Sequence, residues 1–322
     1  MKILLTGSSG FLGKILSRSL SSDICELVEV GRDINKSSIK NYIFVENFCS
    51  TSSFQLKPQK IKIVIHCAAR VHIMEDGASN PLEAFREVNT FGTLNLARQA
   101  ASAGVKRFIF ISSIKVNGES TELGFPFQPD SDFIAMDPYA LSKYEAEVGL
   151  RKIAKETGME VVIIRPPLVY GPGVKANFLL MMKWVYKGIP LPLGGIKRNK
   201  RSLVSVDNLV DLIICCIKHP KAANQTFLVS DDNDLSTTLL LKNMAQALGV
   251  RSKLLAFPSS WFVLVAKLIT RPTISDRLCG SLQLDISKTK EMLGWEPPYS
   301  AAECMKKTAD AFLESLTLKN KK

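Results

Sequence analysis

The sequence predicts an α/β fold, a doubly wound parallel sheet followed by a smaller and more irregular C-terminal lobe. Three observations carry this expectation. Short apolar, β-branched runs alternate with longer helical patterns up to Arg165. A glycine-rich turn joins the first run to the first helix. Beyond Arg165 the alternation stops, and prolines and glycines crowd together.

Taken in order, Lys2–Leu5, Leu27–Val30, Ile43–Val45, Ile63–His66, Arg107–Ile111 and Val161–Ile164 read as strands. Most are apolar throughout rather than alternating, as in strands covered on both faces. Leu12–Leu20, Pro81–Ala103 and Pro138–Thr157 read as the helices between them. Pro166, Pro167, Pro172, Pro190 and Pro192 then mix with Gly171, Gly173, Gly188, Gly194 and Gly195, which marks loops. Helices are expected again at Phe178–Lys187, Asp207–Lys218, Ser236–Leu248 and Ser300–Leu316. Ser300 and Glu303 stand at capping-box spacing, and Gly294 reads as the stop of a short helix before it.

Composition narrows the class. The chain has 322 residues, 46% of them hydrophobic, enough for a substantial core. No stretch approaches the ~20 apolar residues of a membrane helix; Ser259–Thr270, interrupted by Lys267, reads as amphipathic. The N-terminus lacks the pattern of a signal peptide, so the cytoplasm is the expected compartment. Seven cysteines without a Cys-x-x-Cys spacing, and three histidines, argue against a metal or disulfide framework. The net charge of +12 is dispersed apart from Lys197–Arg201 and the Lys319–Lys322 tail, and no nucleic-acid-binding signature accompanies it.

Gly7-Ser8-Ser9-Gly10-Phe11-Leu12-Gly13 lies between the first strand and the first helix. Glycines there allow a tight turn, close approach of backbone amides to a pyrophosphate, and close packing of helix on strand. The positive end of the helix faces the phosphates. This is a Rossmann-type dinucleotide site, with residues 1–165 as the NAD(P)-binding domain and 166–322 as the substrate lobe, parts of 202–230 returning to the first. NAD-binding folds usually carry an acid at the end of the second strand, about 20 residues on. Here Gly31 and Arg32 stand there: the glycine leaves room, and the guanidinium could pair a 2′-phosphate. NADP(H) is therefore favoured, and Asp33, one step further, leaves NAD(H) open.

Tyr139 and Lys143 are four apart on one helix and share a face. A phenol with a reference pKa of about 10 needs a neighbouring cation to work as an acid–base group near neutrality, which the ammonium is expected to supply. Ser112-Ser113 ends the fifth strand, on the carboxyl rim where ligands of parallel sheets bind.

Together, Thr6–Gly13, His66-Cys67-Ala68-Ala69, Asn89, Ser112–Gly118, Asp137–Lys143 and Arg165–Gly173 resemble the extended short-chain dehydrogenase/reductase family, in its NAD-dependent epimerase/dehydratase group. The resemblance runs nearly end to end. It implies Ser113, Tyr139 and Lys143 as the catalytic triad, with Asn89 supporting the lysine. With Arg32 from its place after the second strand, cofactor contacts are expected at Gly7, Ser9, Gly10, Phe11, Leu12, Gly13, Arg32, Ala68, Asn89, Tyr139 and Lys143. Within the family the sequence is most similar to the UDP-glucose 4-epimerase branch, and to bacterial O-antigen 4-reductases and 4-epimerases of UDP-N-acetylhexosamines around Ser112–Glu119. The same resemblance implies a UDP-sugar substrate held by Ser113, Tyr139, Asn177 and Arg201, and a homodimer through the helices after the fourth and fifth strands; Lys115, close behind Ser113, and Arg277 are further substrate candidates.

The chain departs from that pattern in two places. Dehydratases of the family carry Asp and Glu where Ile114 and Lys115 stand, so elimination lacks its acid and base. Epimerases usually read Val-Tyr-Gly where this chain reads Val116-Asn117-Gly118. The function expected first is therefore NADPH-dependent 4-reduction of a UDP-4-keto-6-deoxy-N-acetylhexosamine. Epimerisation at carbon 4 of UDP-glucose or UDP-N-acetylglucosamine comes second. A hydroxysteroid- or flavonoid-type alcohol dehydrogenase is the remoter alternative, against which a diphosphate clamp counts.

Overall fold

The computed structural model describes residues 1–20, 25–71, 80–131, 137–257 and 278–320. The expected helix at Ser259–Thr270 and the substrate candidate Arg277 lie outside them. The strands are β1 (Lys2–Thr6), β2 (Glu26–Gly31), β3 (Tyr42–Phe44), β4 (Ile63–His66), β5 (Arg107–Ile111), β6 (Glu160–Arg165), β7 (Leu168–Tyr170), β8 (Leu203–Ser205) and β9 (Thr226–Leu228). The helices are α1 (Phe11–Leu20), α2 (Pro81–Phe85), α3 (Thr93–Ser102), α4 (Pro138–Thr157), α5 (Ala176–Tyr186), α6 (Val206–Lys218), α7 (Thr237–Ala247), α8 (Ser287–Leu293) and α9 (Ala301–Asn320). None of them is long and apolar enough to cross a membrane.

Among the described residues, one sheet runs β3-β2-β1-β4-β5-β6-β9, every neighbour parallel, and β7 and β8 form a separate parallel pair. Period-two alternation explains why the main strands are apolar throughout. Ile3, Leu5, Ile109, Ile111, Val162 and Ile164 face one core with α1 and α6. Leu4, Phe108, Phe110, Val161 and Ile163 face the other with α3 and α4. A third core joins α5, α7 and α9 through Phe178, Met182, Leu241, Met305 and Phe312.

The expected helix over Pro81–Ala103 is not uniform: α2 widens into a π-helical stretch, Arg86–Gly92, before α3. Such widened turns concentrate at functional sites. The capping box is present, with Ser300 N donating to Glu303 Oε2 at 2.9 Å and Glu303 N to Ser300 Oγ at 3.3 Å. Gly294, at φ 59°, ends α8 as the sequence predicts.

Candidate active site

The site forms where the strand order reverses, between β1 and β4. Gly7 turns the chain at φ 73°. A Cβ on Gly7 would stand 2.7 Å from Ala68 N, and one on Gly13 only 2.0 Å from Gly7 O, so both close approaches require glycine. Gly10 N donates to Gly7 O at 2.9 Å, and α1 starts directly after. Phe11 and Leu12 turn their side chains into the cores. Ala68 N is held by Thr6 Oγ1 at 3.2 Å, and the same hydroxyl meets His66 Nδ1 at 2.6 Å. His66 is fully buried, and burial first, then the Lys143 charge, drives its pKa well down.

A cavity of about 730 Å3 opens beside this loop, lined by Gly7, Ser9, Gly10, Arg32, Ala68 and Arg70 among others. Bare loop backbone, a helix start and that volume fit a dinucleotide. Gly31 plays a part beyond the one expected from the sequence. A Cβ there would lie 2.3 Å from the Tyr42 hydroxyl, so the glycine also makes room for Tyr42. That hydroxyl accepts from Asp33 N at 3.0 Å, while the Asp33 carboxylate caps the next turn through Asn35 N at 3.1 Å. Arg32 stays exposed on the cavity wall.

The three residues expected to be catalytic sit on the carboxyl rim. Ser113 opens a single turn after β5. Tyr139 lies in the first turn of α4, which Asp137 caps by accepting from Ala140 N at 2.7 Å. Its ring meets Phe85 edge-on at 5.9 Å, with the Ser113 hydroxyl near its phenol. One turn on, the Lys143 ammonium is 2% exposed, donates to Ile111 O at 2.9 Å and lies 4.5 Å above the Phe110 ring. Burial pulls its pKa down to about 8, against the opposing pull of Cys67 and Glu147. The sequence predicts a phenol lowered by this ammonium. Instead burial pushes Tyr139 up to about 12; the Asp137 charge adds to that and the Ser113 hydroxyl opposes it. At neutral pH the resting phenol therefore holds its proton.

Asn89, in the π-helical stretch, accepts from Arg70 N at 2.9 Å and donates to Arg70 O and to Ser142 Oγ, each at 3.0 Å. It thus ties the loop after β4 to the residue preceding Lys143. The Lys115 ammonium is held between Glu119, at 2.7 Å, and Asp137. Asn177 is exposed in the first turn of α5. Arg201 is half-buried, its backbone paired with Leu235 and its Nη1 donating to Gly280 O at 3.1 Å. Asn117 is fully buried between Arg165 and the Gln128 carbonyl, which accounts for an amide where epimerases carry Tyr. Sequence reasoning missed Phe48 and Cys49, which line the cavity without any local pattern to announce them. It also missed Glu147, whose four-residue spacing from Lys143 was a usable signal.

Residues 3–230 match the model of the NAD dependent epimerase/dehydratase family. The chain is 52% identical over 316 residues to a UDP-glucose 4-epimerase of Vibrio cholerae, covering 97% of this chain and 96% of that protein. Two solved structures share the fold. A UDP-glucuronic acid 4-epimerase from Bacillus cereus in complex with NAD has a TM-score of 0.78 at 20% identity, over 98% of this chain and 99% of that one. A UDP-glucose 4-epimerase with UDP-glucose from Thermotoga maritima has a TM-score of 0.76 at 23% identity, over 98% and 100%. With its glycine loop, its parallel sheet and its Ser113–Tyr139–Lys143 rim, the chain belongs to the NAD dependent epimerase/dehydratase family of extended short-chain dehydrogenase/reductases.

Proposed function

We propose that this enzyme epimerises carbon 4 of a UDP-sugar, UDP-glucose or its N-acetylated counterpart. The observation that carries the reading is the 52% likeness, nearly end to end, to a UDP-glucose 4-epimerase. It outweighs the order the sequence suggests, in which 4-reduction stands first. When bound, a nicotinamide dinucleotide supplies reversible hydride exchange at carbon 4 and, in its oxidised form, a positive ring charge. The glycine loop, Arg32, Ala68 and Lys143 would hold it. Tyr139 would be lowered from its resting value by the positive charges of that ring and of Lys143, so that its phenolate takes the proton of the carbon-4 hydroxyl and returns it to the carbon-4 oxygen. Ser113 hydrogen-bonds the reacting oxygen, and Lys143 holds positive charge behind it. Asn177 and Arg201 are the proposed diphosphate contacts, and a homodimer would use the outer face of α3 and α4, where Val148 is exposed.

Added UDP is expected to raise the melting temperature, because a ligand that binds only the folded state stabilises it. A melting temperature that ignores UDP up to millimolar concentration would favour the alcohol-dehydrogenase reading, which needs no diphosphate clamp.

A second reading, 4-reduction of a UDP-4-keto-6-deoxy-N-acetylhexosamine with NADPH in O-antigen precursor synthesis, is favoured by one observation. Arg32 faces the cofactor cavity while the Asp33 carboxylate is engaged in capping. On that reading Arg32→Ala weakens NADPH by roughly 10–150-fold and NADH little, the worth of one charge-assisted pair. Equal losses for the two cofactors, measured by fluorescence titration, would leave Arg32 without a 2′-phosphate role.

A further inference from the structure

Glu147 stands one helical turn beyond Lys143, and its carboxylate is 0% exposed. A buried carboxylate is tolerated only when its oxygens are fully partnered. Here Ser112 Oγ donates to Oε1 at 2.6 Å, Arg165 Nε to Oε1 at 2.9 Å, and Arg165 Nη2 to Oε2 at 2.6 Å. Arg151 adds a longer contact to Oε2 at 3.2 Å. Arg165 Nη1 carries the network on to Asn117 Oδ1 at 3.0 Å and Pro129 O at 2.9 Å.

These partners lie at one place in the fold. Ser112 directly follows β5 and Arg165 is the last residue of β6, both on the carboxyl rim, and Ser112 N is itself paired with Ile164 O at 2.8 Å. Ile111 O accepts from Lys143, and Ser112 Oγ donates to Glu147. The helix that bears Tyr139 is thus stapled to the strand end on both sides of the peptide that leads into Ser113. Distance alone gives this weight, since a displacement of about 1 Å at reacting groups can cost around 10²-fold in rate.

We propose that Glu147 is a positioning residue of the reaction: by holding Ser112 and Arg165 to the catalytic helix, its buried carboxylate fixes Ser113 against Tyr139 and Lys143. The proposal rests on the catalytic reading of that triad. It also has an electrostatic consequence. The groups facing the Lys143 ammonium are Cys67 and His66 from the end of β4 and its loop, and Glu147 from its own helix; Glu147 favours the charged ammonium. Arg165 and Arg151 face Glu147 in turn.

The test compares Ser112→Ala, Glu147→Gln and Tyr139→Phe in the full chain, following interconversion of UDP-sugars against pH. Ser112→Ala keeps every charge and should fold. Its kcat per titrated cofactor site is expected to fall about 10-fold or more with KM and cofactor affinity held, a normalisation that removes the effect of a smaller folded fraction. Glu147→Gln should lower kcat further. It should also move the alkaline limb of kcat/KM, expected near pH 8 where Lys143 loses its proton, to lower pH. Should Glu147→Gln fail to fold, Ser112→Ala decides alone. A Ser112→Ala enzyme with kcat within about twofold of the parent, beside an inactive Tyr139→Phe, overturns the positioning role and leaves the triad standing. Full turnover by Tyr139→Phe removes the triad, and this proposal with it.

Discussion

Tyr139→Phe is expected to lose about 10²–10⁴-fold in turnover, the usual contribution of a general acid–base group. The ring keeps its edge-on contact with Phe85 and only the hydroxyl is lost, so the fold and cofactor affinity should change little. The size of the effect follows from where the phenol sits. It stands on the carboxyl rim one helical turn from the Lys143 ammonium, the charge that would stabilise its phenolate during proton transfer. Steady-state turnover with cofactor titration checks this, and a loss under about 10-fold would take Tyr139 out of the reaction.

Lys143→Met separates activity from stability. Turnover should collapse and cofactor binding weaken, since the ammonium stands beside both the phenol and the nicotinamide ribose in this reading. The fold should not suffer. An ammonium that is 2% exposed is held down to about pKa 8 by burial, so the folded state binds its proton more weakly than the unfolded chain. That penalty is fully present below pH 8 and fades as pH rises towards the unfolded value of about 10.4. Methionine removes it and gives up the charged bond to Ile111 O, worth about 1.5–3 kcal/mol. The melting temperature is therefore expected to hold or rise by a few degrees at pH 7, and to gain less at pH 10. A large fall at pH 7 with cofactor binding intact would make Lys143 a structural residue only.

Much of this site could be read from the sequence because its signals are local. The glycine loop, the Pro138 helix start, the Tyr139–Lys143 spacing and the Ser300–Glu303 cap each depend on residues a few positions apart. The continuous apolar strands announced a sheet covered on both faces, and Ile3, Leu4 and Leu5 divide between its two cores accordingly. What stayed hidden depends on distant pairs. β7, β8 and β9 are three residues each, too short for a period to show among prolines and glycines. The Gly31–Tyr42 contact joins neighbouring strands, and nothing near Gly31 says which side chain will fill the space. The Glu147–Arg165 pair spans 18 positions and two elements, so only half of it, the helix spacing to Lys143, was visible.

Net reaction tests the central claim most directly. Purified protein with a trace of NAD should be given UDP-glucose and, separately, UDP-N-acetylglucosamine, and the products separated while absorbance at the reduced-nicotinamide band is followed. Epimerisation predicts that each sugar approaches equilibrium with its 4-epimer while the absorbance stays flat, because hydride exchanged reversibly at carbon 4 leaves no net change in the cofactor. The contradicting result is no 4-epimer from either sugar, together with stoichiometric loss of NADPH and formation of a 4-hydroxy sugar when a UDP-4-keto-6-deoxy-N-acetylhexosamine is supplied.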